Sequence, residues 1–475
     1  MIWPRLFFLL LAALVSVSPA WSQESAAPDS LDHGSVSRAV REDRWGPWPA
    51  REPATTARLQ RTPTPAWEKI INVPYFVVGL PFRLVDFGVH QSIAAADRFG
   101  FFDLPPAEHM GLRLPGDFYL MPEFGMSGLE GTTYGLNLNR FDLWGPGNRV
   151  YLEAWRSTRR DKKISAGGLF HLTSRAELQV GAGTRAMPQT EYFGLGPESL
   201  EENEAYYHRG SSWAGLETAY HLDDHLTLEI QTHYTAVKSR SSRYEVDEAL
   251  ATIFADNLPS GFPGKSEGWT WRLGFEHHDA PQTGRPETGG LRRASLGWFQ
   301  NSDESDLQFL TYSLDAEQFF PLWHTKRTLG VRGFFNRVVT QNADQMPLAR
   351  LVTFRRPDEL RGFLNSRFHG LGVMGVSLEY RWPVWVEKKR DGEGLDAFLF
   401  SDSGQVFMET AEIGLENFRF TGGFGLRFIN SDRDFVGRFE LGFSSEGTVV
   451  TFKFSQNFQY HSKTLLKGKD PSQRR

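Results

Sequence analysis

From about Asp117 to Tyr460 the chain repeats with a period of two, and that pattern confines it to extended strands. In 448–460 the even positions are Thr448, Val450, Phe452, Phe454, Gln456, Phe458 and Tyr460. The odd positions are Val449, Thr451, Lys453, Ser455, Asn457 and Gln459. One face is almost all apolar and the other almost all polar. In 435–444, Phe435, Gly437, Phe439, Leu441 and Phe443 alternate with Val436, Arg438, Glu440, Gly442 and Ser444. In 418–428, Phe418, Phe420, Phe424, Leu426 and Phe428 share a face opposite Arg419, Thr421 and Arg427. Residues 269–276 set Trp269, Trp271, Leu273 and Phe275 against Thr270, Arg272 and Glu276. Half-buried antiparallel strands alternate in this way. A soluble β-helix or propeller would carry a fixed repeat of about 20–50 residues, and none is visible.

Three features favour a membrane barrel over a soluble sheet. The alternating segments run about nine to eleven residues, the length of a tilted spanning strand. Their polar face carries charge as well as Ser and Thr, which suits a watery lumen. Aromatics gather at the ends of the apolar face, as interfacial girdles do. Composition agrees. Aromatics make up 14% of the 475 residues, yet the mean hydropathy is −0.40. In a barrel only every second residue meets lipid, so the average stays polar.

We expect sixteen strands, centred near 121, 136, 152, 168, 180, 213, 230, 272, 295, 312, 332, 377, 399, 423, 439 and 453. An even number is the bacterial rule. The long connections, 186–206, 237–268, 340–369 and 404–417, all follow an odd strand, so they open on one side. The expected fold class is all-β: a 16-stranded antiparallel transmembrane β-barrel with a short N-terminal helical segment.

The rest of the chain reads as follows. Met1 to Ser22 is a signal peptide, with Arg5, an apolar core from Leu6 to Val17, and the small-x-small site Ala20-Trp21-Ser22. Residues 23–65 form a polar, Pro-rich disordered linker. Residues 66–116 form a helical segment, periplasmic or luminal, in which Phe82, Val85, Val89 and Ile93 recur at helical spacing. The barrel spans 117–460. A basic periplasmic tail, 461–475, carries Lys463, Lys467, Lys469, Arg474 and Arg475.

Enzymatic chemistry finds no support. There is no cysteine, which excludes disulfides and thiolate chemistry. A lipid hydrolase would need Ser, His and an acid converging at one strand end, and the histidines are scattered along the chain. A net charge of −5 gives no basic face for nucleic acid. We expect no catalytic residue, no metal, no cofactor and no nucleic-acid partner.

One connection carries specific chemistry. The segment 340–369 ends in Asp358-Glu359-Leu360-Arg361-Gly362-Phe363. The next strand places Ser377, Glu379 and Arg381 on its polar face, and the one after reads Phe400-Ser401-Asp402-Ser403-Gly404. A buried arginine needs a carboxylate partner. Glu379 and Asp402 are the nearest candidates if the loop folds back inside, and Gly362 lets its backbone approach the wall.

At these residues the sequence resembles the BamA/TamA-type outer-membrane assembly and translocation superfamily, also called the bacterial surface antigen family. The resemblance covers about 117–460. It implies a sixteen-strand barrel whose sixth extracellular loop tucks an Arg-Gly-aromatic motif, here Arg361-Gly362-Phe363, into the lumen. It implies that the arginine engages acidic residues on strands twelve and thirteen, the latter within Phe400-x-Asp402-x-Gly404. Tyr192-Phe193-Gly194-Leu195-Gly196 looks like the family pattern before the third extracellular loop, with Phe193, Gly194 and Gly196 as its marked positions. Phe452, Phe454 and Phe458 are the aromatics of the last strand, where the family commonly ends on an aromatic. Two departures stand out: residues 23–116 show no periplasmic POTRA pattern, and a basic tail follows the last strand. The resemblance implies protein or lipid insertion or translocation in the outer membrane of a Gram-negative bacterium, with both termini periplasmic. The implied partners are outer-membrane lipids, lipopolysaccharide and a client protein. The alternative is a passive pore or structural surface barrel without a client.

Overall fold

The computed structural model describes residues 112–454, apart from 128–130, 245–247, 281–284, 303–305, 323–326, 355–358, 365, 387–393 and 431–434. The expected signal peptide, the linker, residues 66–111 of the helical segment, and everything after Phe454 lie outside the described residues. The described residues belong to one compact unit. The helical spacing expected at Phe82 to Ile93 lies outside the described residues, and Leu112–Leu114 pairs antiparallel with Phe118 to Leu120. Gly116 (φ 78°) and Asp117 (φ 59°) make the turn between them, and left-handed positions of this kind end helices.

One antiparallel sheet of seventeen strands dominates the described residues. Each long strand, from Phe118–Ser127 to Gly447–Phe454, pairs with the next long strand in the sequence. Every position expected as a strand centre falls within a strand of this sheet, in order. Leu112–Leu114 is additional, as is a separate pair, Val352–Thr353 with His369–Gly370. The only α-helix among the described residues is Leu250–Ile253.

Some strands run longer than expected. Ala176–Tyr192 and Ala205–His221 each have 17 residues. Pro188 reads as a loop residue, but the strand absorbs it at a register shift between Met187 and Thr190. A bulge is where a sheet tolerates proline. The connection expected over 186–206 therefore shrinks to 193–204. Likewise Leu226–Ser241 and Gly264–His278 reduce 237–268 to 242–263.

Burial in this sheet is inverted relative to a soluble protein. Trp269, Trp271, Leu273, Phe275, Leu296, Phe420 and Phe424 are exposed on the outer face, Phe420 by 61%. On the inner face Glu379, Arg332, Arg427 and Arg438 are at most 1% exposed. The apolar core lies instead beneath the loop 340–371. There Met346, Val352, Phe354, Leu360, Phe363 and Phe368 pack against Phe299, Phe309, Phe334, Val338 and Val373 on the strands. A second cluster joins Tyr192, Tyr207, Leu250 and Phe262 to Leu348 of the same loop. No helix among the described residues is long and apolar enough to cross a membrane, which leaves crossing by strands untouched.

Candidate functional site

The apolar residues of 340–371 hold the loop against the inner face, and this brings Arg361 to the wall. Leu360, immediately before it, adopts φ 59°, a left-handed conformation that costs a non-glycine residue energy. Leu360 is itself buried in the loop core, so packing offsets that cost.

Arg361 is 2% exposed, Asp402 1% and Glu379 0%. The guanidinium grips Asp402 bidentately: Nε donates to Oδ2 at 2.9 Å and Nη2 to Oδ1 at 2.7 Å. The Arg361 backbone N–H donates to the same Oδ2 at 3.0 Å. Nη1 donates to Glu379 Oε2 at 2.8 Å. The cation also lies 3.6 Å from the centroid of the Phe400 ring. Glu379 stands opposite Phe400, and Ser377 opposite Asp402, so the two carboxylates are diagonal neighbours on one face. Burial opposes the charge of Arg361, but Asp402, Glu379 and Glu440 outweigh it and raise its pKa above the ordinary arginine value.

Glycines let the loop come this close. A Cβ on Gly362 would sit 2.7 Å from the Phe443 carbonyl oxygen. A Cβ on Gly442, on the wall, would sit 2.5 Å from the Arg361 carbonyl oxygen. The two backbones pack face to face through these positions. At Gly404 a Cβ would meet the Phe354 ring at 2.9 Å, so this glycine makes room for the loop core. Phe363 is buried and packs edge-on against Phe368 at 5.3 Å.

The network extends past the residues singled out from the sequence. Glu379 also accepts from Arg381 Nε at 2.6 Å and from Arg438 Nη2 at 2.9 Å. Arg438 Nη2 donates to Glu440 at 2.7 Å. Arg361, Arg381 and Arg438 thus meet Glu379, Asp402 and Glu440, and the buried pair Arg427–Asp396, at 3.7 Å, interacts with the same network; burying charges requires such pairing. Arg438 and Glu440 were visible as polar members of 435–444, but nothing local marked them as partners of Glu379. Glu359, two residues before Arg361, receives Arg332 at 2.8 Å, a second tie between loop and wall.

The Phe193 motif docks on the same loop. Phe193 is fully buried, and Arg367 lies 4.8 Å from its ring centroid. Gly194 (φ 114°) and Gly196 (φ 79°) hold conformations that favour glycine. The Gly196 N–H donates to the His369 carbonyl at 2.8 Å. Arg367 also donates to Ser199 and, at 2.9 Å, to Glu446 in the turn before the last strand. Burial first, then Arg209 and Arg367, push the His369 imidazole down to about 4. Phe452 lies on the last strand, part-buried. The Phe454 side chain and Phe458 lie outside the described residues. Among the described residues no group of three or more His, Cys, Asp or Glu could hold a metal ion.

No protein-family model matches the chain, and no curated protein matches it. Solved structures do match. BamA from Haemophilus ducreyi lacking POTRA domains 1–3 is 14% identical with a TM-score of 0.54, over 71% of this chain and 69% of that one. CdiB from Escherichia coli is 11% identical with a TM-score of 0.50, over 72% of this chain and 63% of that one. The chain thus spans less than two thirds of that CdiB. Likeness at these identities is likeness of fold alone: the antiparallel sheet of this chain is similar in fold to BamA and CdiB.

Proposed function

We propose that the long strands, sixteen once Leu112–Leu114 is set aside, close into a transmembrane barrel between Phe118–Ser127 and Gly447–Phe454. The barrel sits in the outer membrane of a Gram-negative bacterium and serves protein or lipid insertion or translocation there. The observation that carries this reading is the buried engagement of Arg361 with Asp402 and Glu379 inside a sheet whose apolar face points outward. The outward face meets lipid and lipopolysaccharide. The long loops 193–204, 242–263, 340–371 and 408–418 share one end and face outside, which puts both termini in the periplasm. The Arg361 lock keeps the loop inside the lumen. The seam between Gly447–Phe454 and Phe118–Ser127 is the weak edge of the barrel. Such an edge can template an incoming strand of a client.

Depletion tests this directly. Falling levels of other barrels in the outer membrane support an assembly role, and unchanged levels sink it. The absence of native cysteine allows a crosslink between positions 120 and 453. Sealing the seam abolishes client capture on this reading. A large, steady bilayer conductance that ignores Arg361→Ala would indicate a passive pore instead.

A further inference from the structure

A second charged region of the inner face is built differently. A cavity of about 730 Å³ lies under residues 349–354 of the long loop. Arg159, Arg185, Arg209, Arg272 and Arg350 line it, against the carboxylates of Asp161 and Glu191. Both carboxylates are engaged: Glu191 by Arg159 at 2.9 Å and Asp161 by Arg185 at 3.8 Å. Among the described residues no carboxylate lies within ion-pair distance of Arg209, Arg272 or Arg350.

Arg350 is fixed. Its Nε donates to Ser266 Oγ at 3.0 Å, and its Nη1 to Thr235 Oγ1 at 2.9 Å. Its guanidinium lies 4.2 Å from the centroid of Phe299. Burial first, then Arg209, push its pKa down to about 10. Like charges in a partly enclosed cavity repel, and this cost is relieved only by an anion. Phe299, Phe309, Val338, Leu351, Val352 and Phe354 add an apolar lining to the same cavity. A cavity of this volume fits a small organic molecule, for which about 300–1,000 Å³ is usual.

We infer that this cavity is a binding site for an organic phosphate. The phosphoryl group is held by Arg209 and Arg272 with Arg350 behind them, and its organic body lies against the phenylalanines. Arginine forks match phosphate oxygens bidentately. The same chemistry is presented by a free phosphate ester and by a phospholipid headgroup. The site does not depend on the assembly role proposed above, because it uses other residues.

Calorimetry on the purified full chain in zwitterionic detergent, at about 150 mM salt to screen exposed charge, tests the inference. The probes are inorganic phosphate, a hexose phosphate and micelles doped with phosphatidic acid. We expect at least one organic phosphate to bind, and to bind more tightly than inorganic phosphate. Arg209→Gln with Arg272→Gln weakens it at least about tenfold, the scale of losing charge-assisted hydrogen bonds. Arg175→Gln, at an exposed turn, leaves it unchanged. Tighter binding of the doped micelles assigns the ligand to lipid; tighter binding of the hexose phosphate assigns it to a soluble ester. Heat-modifiable gel mobility reports folding, and Arg272→Gln alone serves if the double variant does not fold. Absence of binding by folded wild type, or binding indifferent to the arginine variants, overturns the site.

Discussion

The inner face holds two arginine clusters of opposite character. Around Arg361, Arg361, Arg381 and Arg438 meet Glu379, Asp402 and Glu440, all buried and mutually bonded. Under residues 349–354, five arginines meet two carboxylates around open volume. A cluster in which each of these arginines has a carboxylate partner uses its charge internally, which suits it to hold the loop in place. A cluster with excess charge and space is poor as a fastener and suited to a ligand. The same residue type, on the same sheet, is a lock in one place and a receptor in the other. Counter-charge decides which.

The comparison breaks first at Arg361. Arg361→Ala leaves two buried carboxylates short of a partner and costs about 3–5 kcal/mol. We expect a large drop in the unfolding midpoint and protease cleavage within 340–371. Arg361→Lys recovers little, because lysine lacks the fork. An unchanged midpoint for both variants would make the lock ornamental. Gly442→Val comes next. Its side chain meets the Arg361 backbone, and overpacking of this sort costs about 1–3 kcal/mol. Cysteine labelling of the loop tip at position 364 should rise in that variant.

Acid acts on the loop through His369. Its folded value, about 4, lies below the unfolded 6.5, so the unfolded loop binds the extra proton. Stability is therefore full above about 6.5 and is lost as pH falls toward 4. Between pH 7 and 5.5 the loss is about 1 kcal/mol, and His369→Gln should flatten that part of the profile. The smallest effect is expected in the other cluster. Arg272→Gln removes repulsion rather than a bond, so stability stays within about 0.5 kcal/mol or rises. A loss as large as that of Arg361→Ala would show that both clusters are structural.

Much of this was legible in the sequence because period two is a local signal. Each strand announces itself in about ten residues, and Arg361, Glu379 and Asp402 stand on adjacent elements. Arg438 and Glu440 were visible but not interpretable. Joining them to Glu379 requires register across three successive ladders. Gly442 is only a gap in an alternating strand until the loop backbone is seen against it. Pro188 reads as a loop residue and hides the extension of its strand. The cavity arginines are spread from Arg159 to Arg350 over several elements, so no segment displays their excess.

A double-mutant cycle between Arg361 and Asp402 is the most direct test of the lock. Unfolding midpoints of Arg361→Ala, Asp402→Ala and the pair give the coupling free of either residue's other contacts. We predict that each single change costs about 3–5 kcal/mol and that the pair costs little more than one of them. Costs that add within about 0.5 kcal/mol would contradict it, because two residues that add do not hold each other.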